Sequence, residues 1–197
     1  MLESIHNLST VNLFYEYKII NKNGIVKENK KDISRSFLSN FAKCLFGALF
    51  KEYFSDVIDV NGNTFTLRIN TTNSWTFDAI KSAGNIDIYF SASADDGTLS
   101  FNDYKLNNIL GDLTRIVGYP QYVKETGSDF FQYRITEKYL YAGTDTNIYA
   151  SALYYRSVID TGGGQRQVMF IKDIYNPAIV LPSNHIIEFS YIIRIQL

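Results

Sequence analysis

Residues 186–197, Ile-Ile-Glu-Phe-Ser-Tyr-Ile-Ile-Arg-Ile-Gln-Leu, decide the fold class. Side chains on a strand point alternately to its two faces. Here Ile187, Phe189, Tyr191, Ile193, Ile195 and Leu197 fall on one side, and Glu188, Ser190, Arg194 and Gln196 on the other, broken by Ile186 and Ile192. This pattern predicts a strand buried on one face and mostly wet on the other. The segment before it, Val168-Met-Phe-Ile-Lys-Asp173, then Tyr175-Asn-Pro177 and Leu181-Pro-Ser-Asn184, reads as a strand, a break and a return. A chain that closes on its best strand closes inside a sheet, which places it in the all-β class.

Working outward, residues 130–141 form a second long strand, with Phe131, Tyr133, Ile135, Tyr139 and Tyr141 on one face. Residues 147–157 and 166–173 flank Thr161-Gly-Gly-Gly164, a flexible hairpin tip. Residues 11–20 alternate, and Asn23-Gly24 after them is the dipeptide that best tolerates a tight hairpin. Lys27 closes the start of the return strand, and residues 28–32 read as a charged loop. Asn61-Gly62 marks another hairpin, and residues 74–80 and 85–91 are further strands, the latter with Ile86, Ile88 and Phe90 inward. Short strands at this spacing predict a β-sandwich, jelly-roll-like, with one long amphipathic helix over 33–54 and a short one over 104–110. Asp32 or Ser34 is placed to cap the long helix. Phe37, Phe41, Leu45 and Leu49 recur four apart on it, and all four are expected to be almost fully buried. The chain divides into an N-terminal arm, 1–32, and a sandwich body, 33–197.

Composition bounds the function. At 197 residues the chain can bury roughly 70% of its unfolded surface, so it needs neither disulfide nor metal to fold. Hydrophobic residues make up 46% and charged ones 20%, a globular balance. A net charge of -1 creates no field that would draw it to nucleic acid or an anionic membrane. The start lacks the basic and apolar regions of a secretory signal, and no apolar run is long enough to span a bilayer, so no membrane insertion is expected. Fifteen tyrosines favour interfaces, where a ring and a hydroxyl are both useful.

Catalytic chemistry needs convergent groups, and this chain supplies few. His6 and His185 show no ligand spacing, and Cys44, in the apolar helix, reads as a small hydrophobe. Asp95-Asp96 with Asp103 could offer oxygens to calcium, but the spacing is not that of a calcium-binding loop and an acidic turn is the better reading. Gly162-Gly-Gly164 lacks the Gly-Lys-Ser/Thr ending of a phosphate loop. Lys27, Lys30, Lys31 and Arg35 form a basic cluster without an aromatic platform, best read as solvated. No catalytic residue, cofactor or metal is expected.

Five segments in the second half carry a resemblance: Asn85-Ile-Asp-Ile-Tyr-Phe-Ser91, Asp96-Gly-Thr-Leu-Ser-Phe-Asn-Asp-Tyr-Lys-Leu106, Asn147-Ile-Tyr-Ala-Ser-Ala-Leu-Tyr-Tyr155, Met169-Phe-Ile-Lys-Asp-Ile174 and Ser190-Tyr-Ile-Ile-Arg-Ile195. In this order they resemble a family of virion structural proteins of tailed phages and archaeal viruses, found in tail, collar or neck assemblies. Lys172 stands where the family has arginine, and Ser151-Ala-Leu153 where it has Glu-Val-Gly; the N-terminal half is similar only at Ser36-Phe-x-x-Asn-Phe41. The resemblance implies a non-enzymatic subunit of a ring in the virion. It would contact copies of itself and other virion proteins, with nucleic acid indirect at most. Phe37, Phe41, Leu45, Leu49, Tyr133, Tyr139 and Tyr141 are the candidate core and assembly residues. The alternative is a receptor- or carbohydrate-binding module displayed on a virion or cell surface.

Overall fold

The structure, a computed structural model, describes residues 10–34, 38–50, 54–67, 88–95, 97–116, 121–127, 129–159 and 161–196. Its elements follow in the order β1 (Thr10–Ile20), β2 (Val26–Ile33), α1 (Ser39–Phe50), β3 (Val57–Ile58), β4 (Thr64–Phe65), β5 (Ile88–Ser93), β6 (Leu113–Arg115), β7 (Gln121–Thr126), β8 (Phe130–Tyr141), β9 (Thr146–Ile159), β10 (Gln165–Leu181) and β11 (Ile186–Gln196). The chain is mostly antiparallel strand with one short helix among the described residues. The first sheet runs β2-β1-β11-β8-β6, with β7 also paired to β8; the second runs β10-β9-β5; β3 and β4 form a hairpin.

The closing strand β11 lies in the middle of the first sheet, between β1 and β8. Its odd-numbered face, with those of β1 and β8, meets the second sheet in one hydrophobic cluster. Phe90 of β5 stacks on Phe189 and Tyr191 of β11 at 5.9 and 5.3 Å, and Tyr175 of β10 meets Tyr15 and Tyr17 edge-on. Offset and edge-on ring pairs each add about 1 kcal/mol beyond area burial. The other face of the second sheet is also covered, by Leu38 and Leu106 packed on Ala152, Tyr154 and Met169. The hairpin glycines behave as expected: Gly24 and Gly62 have φ of 79° and 84°, where a Cβ would be strained.

Several local expectations change. The charged stretch 28–32 is not a loop but the body of β2, laddered onto β1. Tyr17 donates to Glu28 at 2.5 Å, and lysines on this outer strand keep it from pairing with other chains. The division at 32/33 therefore falls within β2. The helix spans Ser39–Phe50, not 33–54. Neither proposed cap is available to it. The Asp32 carboxylate accepts the neighbouring Ile33 N–H, and the Ser34 hydroxyl donates to Asp173 at 3.0 Å. The N–H of Leu38 instead donates to Phe170 O, tying the helix entrance to β10. Within the helix, Asn40 is buried and acts as a strand partner, its amide bonding both the carbonyl and the N–H of Ile58.

Residues 104–110 form no helix. Their donors are drawn across to the second sheet: Leu106 N–H donates to the Tyr154 hydroxyl at 2.7 Å, and Leu110 N–H to Ala92 O at 2.9 Å. A backbone satisfied this way has no need of helical bonds. The break at Tyr175-Asn-Pro177 is an irregularity within β10, which continues to Leu181, and β11 crosses to the other sheet instead of pairing back. Residues 74–80 and Ile86 lie outside the described residues.

Candidate functional site

The feature with most chemistry lies where β5 ends the second sheet among the described residues. A strand edge leaves unpaired backbone groups, and here side chains from the first sheet take them. Phe90 N–H donates to Glu137 Oε2 at 3.1 Å and to the Tyr139 hydroxyl at 3.0 Å, and that hydroxyl donates to Phe90 O at 2.9 Å. Arg115 donates to Ile88 O at 3.2 Å and ion-pairs with Glu137 Oε1 at 2.6 Å. The Tyr139 hydroxyl and Glu137 Oε2 also form a hydrogen bond. Three side chains therefore bond the free edge β5 has among the described residues and fasten the two sheets together.

Burial governs the proton chemistry of this lock. Desolvation pushes the Glu137 carboxyl above its usual range, against the pull of Tyr139 and Arg115. Desolvation likewise raises the Tyr139 phenol, and the Glu137 charge adds to it. Both groups are occupied by the lock: the phenol bonds the N–H and the carbonyl of Phe90, and the carboxyl takes Arg115 and the Phe90 N–H.

In front of the lock is an open cleft of about 470 Å³, lined by Tyr89, Ser91, Leu110, Leu113, Arg115 and Arg156 together with Phe90 and Tyr139. Arg156, from β9, lies over the Tyr89 ring at 4.4 Å, and that ring stacks on Tyr154 at 5.0 Å. The result is a guanidinium resting on two layered rings.

The seven candidate residues are not gathered in one place. Tyr139 and Tyr141 are buried within the chain; Tyr139 serves the lock, and the Tyr141 hydroxyl donates to Thr144 O at 2.6 Å. Tyr133 is half-buried against the same core. Phe41 is half-buried, edge-on to Phe170 at 5.6 Å, and not almost fully buried, because it sits at the start of a shorter helix. Phe37 lies outside the described residues, as do the side chains of Leu45 and Leu49. Eight tyrosines of the described residues are core, so their number reflects ring packing within the chain.

Other candidates resolve similarly. Cys44 is buried, and desolvation pushes its thiol up to about 12. Asp103 accepts from buried Lys172 at 2.7 Å, which ties the acidic loop to the Lys-Asp strand. Asp173 beside it receives Ser34. His185 approaches Ser183 O at 3.0 Å. Lys27 and Lys31 are exposed on β2, Lys31 over the Phe14 ring at 4.9 Å, while Arg35, Asp96 and His6 lie outside the described residues. No group of three or more potential metal ligands occurs among the described residues, and no described helix is long and apolar enough to cross a membrane.

Sequence reading missed the lock, though one signal was present. Glu137 falls on the same alternation as Ile135 and Tyr139, an acid on an apolar face. Arg115 lies in a three-residue strand too short to show a pattern. Compared with protein-family models, curated proteins and solved structures, the chain matches none.

Proposed function

We propose that this chain is a viral structural protein, a β-sandwich subunit of a tail, collar or neck ring that works by contact with copies of itself and with other virion proteins. In this reading the two facing sheets are the layers of a jelly-roll-like sandwich, and the segments over 85–197 are the family's scaffold. One observation carries the reading toward assembly. On the outer face of the first sheet, register places Val26, Ile20, Ile186 and Leu140 side by side across β2, β1, β11 and β8. Directly opposed residues have Cβ atoms about 5 Å apart, so this is an apolar row crossing four strands. It is open: Val26 is 49% and Leu140 40% exposed, and Ile116, bonded through its N–H to Lys138 O, adds another exposed side chain next to it.

A second copy suits this row. The next row inward, Lys18, Glu188 and Lys138, is closed by its own ion pairs and presents no unpaired carboxylate to a second copy. A net charge of -1 offers little repulsion between copies. Apolar area removed from water at such a contact gains about 25 cal/mol per Å² before association costs. Negative-stain electron microscopy of the purified chain tests the function: closed rings of uniform size support it, and lone particles of one subunit at every concentration, with the chain missing from virions of its source, contradict it.

A further inference from the structure

We propose that the cleft between β5 and β6 binds an acidic sugar, a hydroxylated ring carrying one carboxylate, with Arg156 as the residue that grips the charge. The inference rests on the cleft alone and goes beyond assembly through the outer face of the first sheet.

Charge comes first. Among the described residues the cleft is lined by two arginines and no carboxylate. The Glu137 carboxylate that pairs with Arg115 sits behind it, 1% exposed, and does not face the opening. Arg156 is exposed, and the Tyr89 ring holds its guanidinium plane from one side. One guanidinium N–H goes to the Tyr89 hydroxyl, the other donors are left for an incoming anion, and the restricted motion lowers the entropy lost on binding. A planar carboxylate matches that edge with two parallel hydrogen bonds.

Size and lining set the rest of the ligand. A space of about 470 Å³ falls in the range of small-molecule sites and is far larger than a bare anion needs. Leu110 and Leu113 offer an apolar strip, while Ser91 and the edge of Tyr89 offer hydroxyls. A ring with C–H faces and a hydroxylated rim uses both kinds of surface; an alkyl acid would leave the hydroxyls idle. The lock behind the cleft fixes Arg115, Tyr139 and Phe90 relative to one another, so the wall is formed before any ligand arrives.

Isothermal titration calorimetry on the full chain tests this, with N-acetylneuraminic acid and glucuronic acid as probes and galactose, glucose and sodium sulfate as comparisons. Saturable binding of at least one acidic sugar, none of the neutral sugars, and a loss of tenfold or more in Arg156→Ala are expected, with the variant's thermal unfolding unchanged because Arg156 is exposed. Arg156→Lys, which keeps the charge and loses the fork, falls between the two. No saturable heat for either acidic sugar up to about 10 mM overturns the proposal, that being far weaker than a formed site requires. So does equal affinity in wild type and Arg156→Ala. Sulfate binding as tightly as the sugars overturns the sugar assignment, since the ring would then add nothing.

Discussion

Two buried glutamates respond to pH in opposite directions. Burial pushes Glu188 up, but the hydrogen bonds from Lys18 at 2.7 Å and the partnership with Lys138 at 3.0 Å outweigh it and hold the carboxyl below its usual value. A lowered carboxyl contributes stability that is present above its unfolded value and lost as pH falls through its folded one. Glu188→Gln is therefore expected to cost about 1 kcal/mol near pH 7, with the difference from wild type closing as pH falls through the lowered carboxyl value, as read by urea unfolding. Glu137 is the reverse case: burial raises it, so the folded state favours the protonated carboxyl and its contribution declines as pH rises through the raised value. Glu137→Gln removes that decline, and its stability relative to wild type should improve as pH rises from the ordinary carboxylate range through the raised value. A wild-type-like slope in this variant would show that Glu137 remains ionised in the fold. At this scale the sequence was least legible. Glu188 was read on a wet face, yet Glu188, Ser190 and Ile192 are all buried there, because long neighbours such as Lys18, Lys138 and Arg134 lie over the sheet. Alternation reports which face a residue points to, and not what its neighbours' side chains do above it.

Among the elements, strands with an apolar face were legible and those without one were not. Residues 130–141 were read with the bounds of β8, because their odd-numbered positions carry rings and branched chains. β2 reads as a loop after its first residues, since an outer strand charged on both faces has no alternation to show; its ladder with β1 overrides composition. The helix was drawn too long for the opposite reason. Helical spacing continues through 33–38, but among the described residues Ser34 N–H donates to Leu13 O and Leu38 N–H to Phe170 O. This makes β10 the element that seats the helix, with Phe170 buried and Phe41 half-buried against it. Phe170→Ala should therefore cost about 3–5 kcal/mol, while Phe41→Ala costs about half as much. Equal losses in chemical denaturation would mean that Phe41 is as deeply seated as its helical spacing suggested.

Over the whole molecule, the two sheets bury one face of the first and both faces of the second, and this leaves the outer face of the first sheet to meet other molecules. Most of that face is closed by its own ion pairs, Glu16 with Arg134 and Glu188 with Lys18 and Lys138. The row Val26, Ile20, Ile186 and Leu140 is the part where apolar side chains stand beside one another with two of them widely open. Leu140→Lys puts a charge at the β8 end of that row, at an exposed position where a monomer loses no more than about 0.5 kcal/mol. Sedimentation velocity over a hundredfold range of concentration compares it with wild type. The account predicts that wild type forms species at multiples of 22.6 kDa and that Leu140→Lys stays at one multiple with its thermal unfolding intact. Wild type sedimenting as a single 22.6 kDa species throughout, or Leu140→Lys assembling as wild type does, would contradict it.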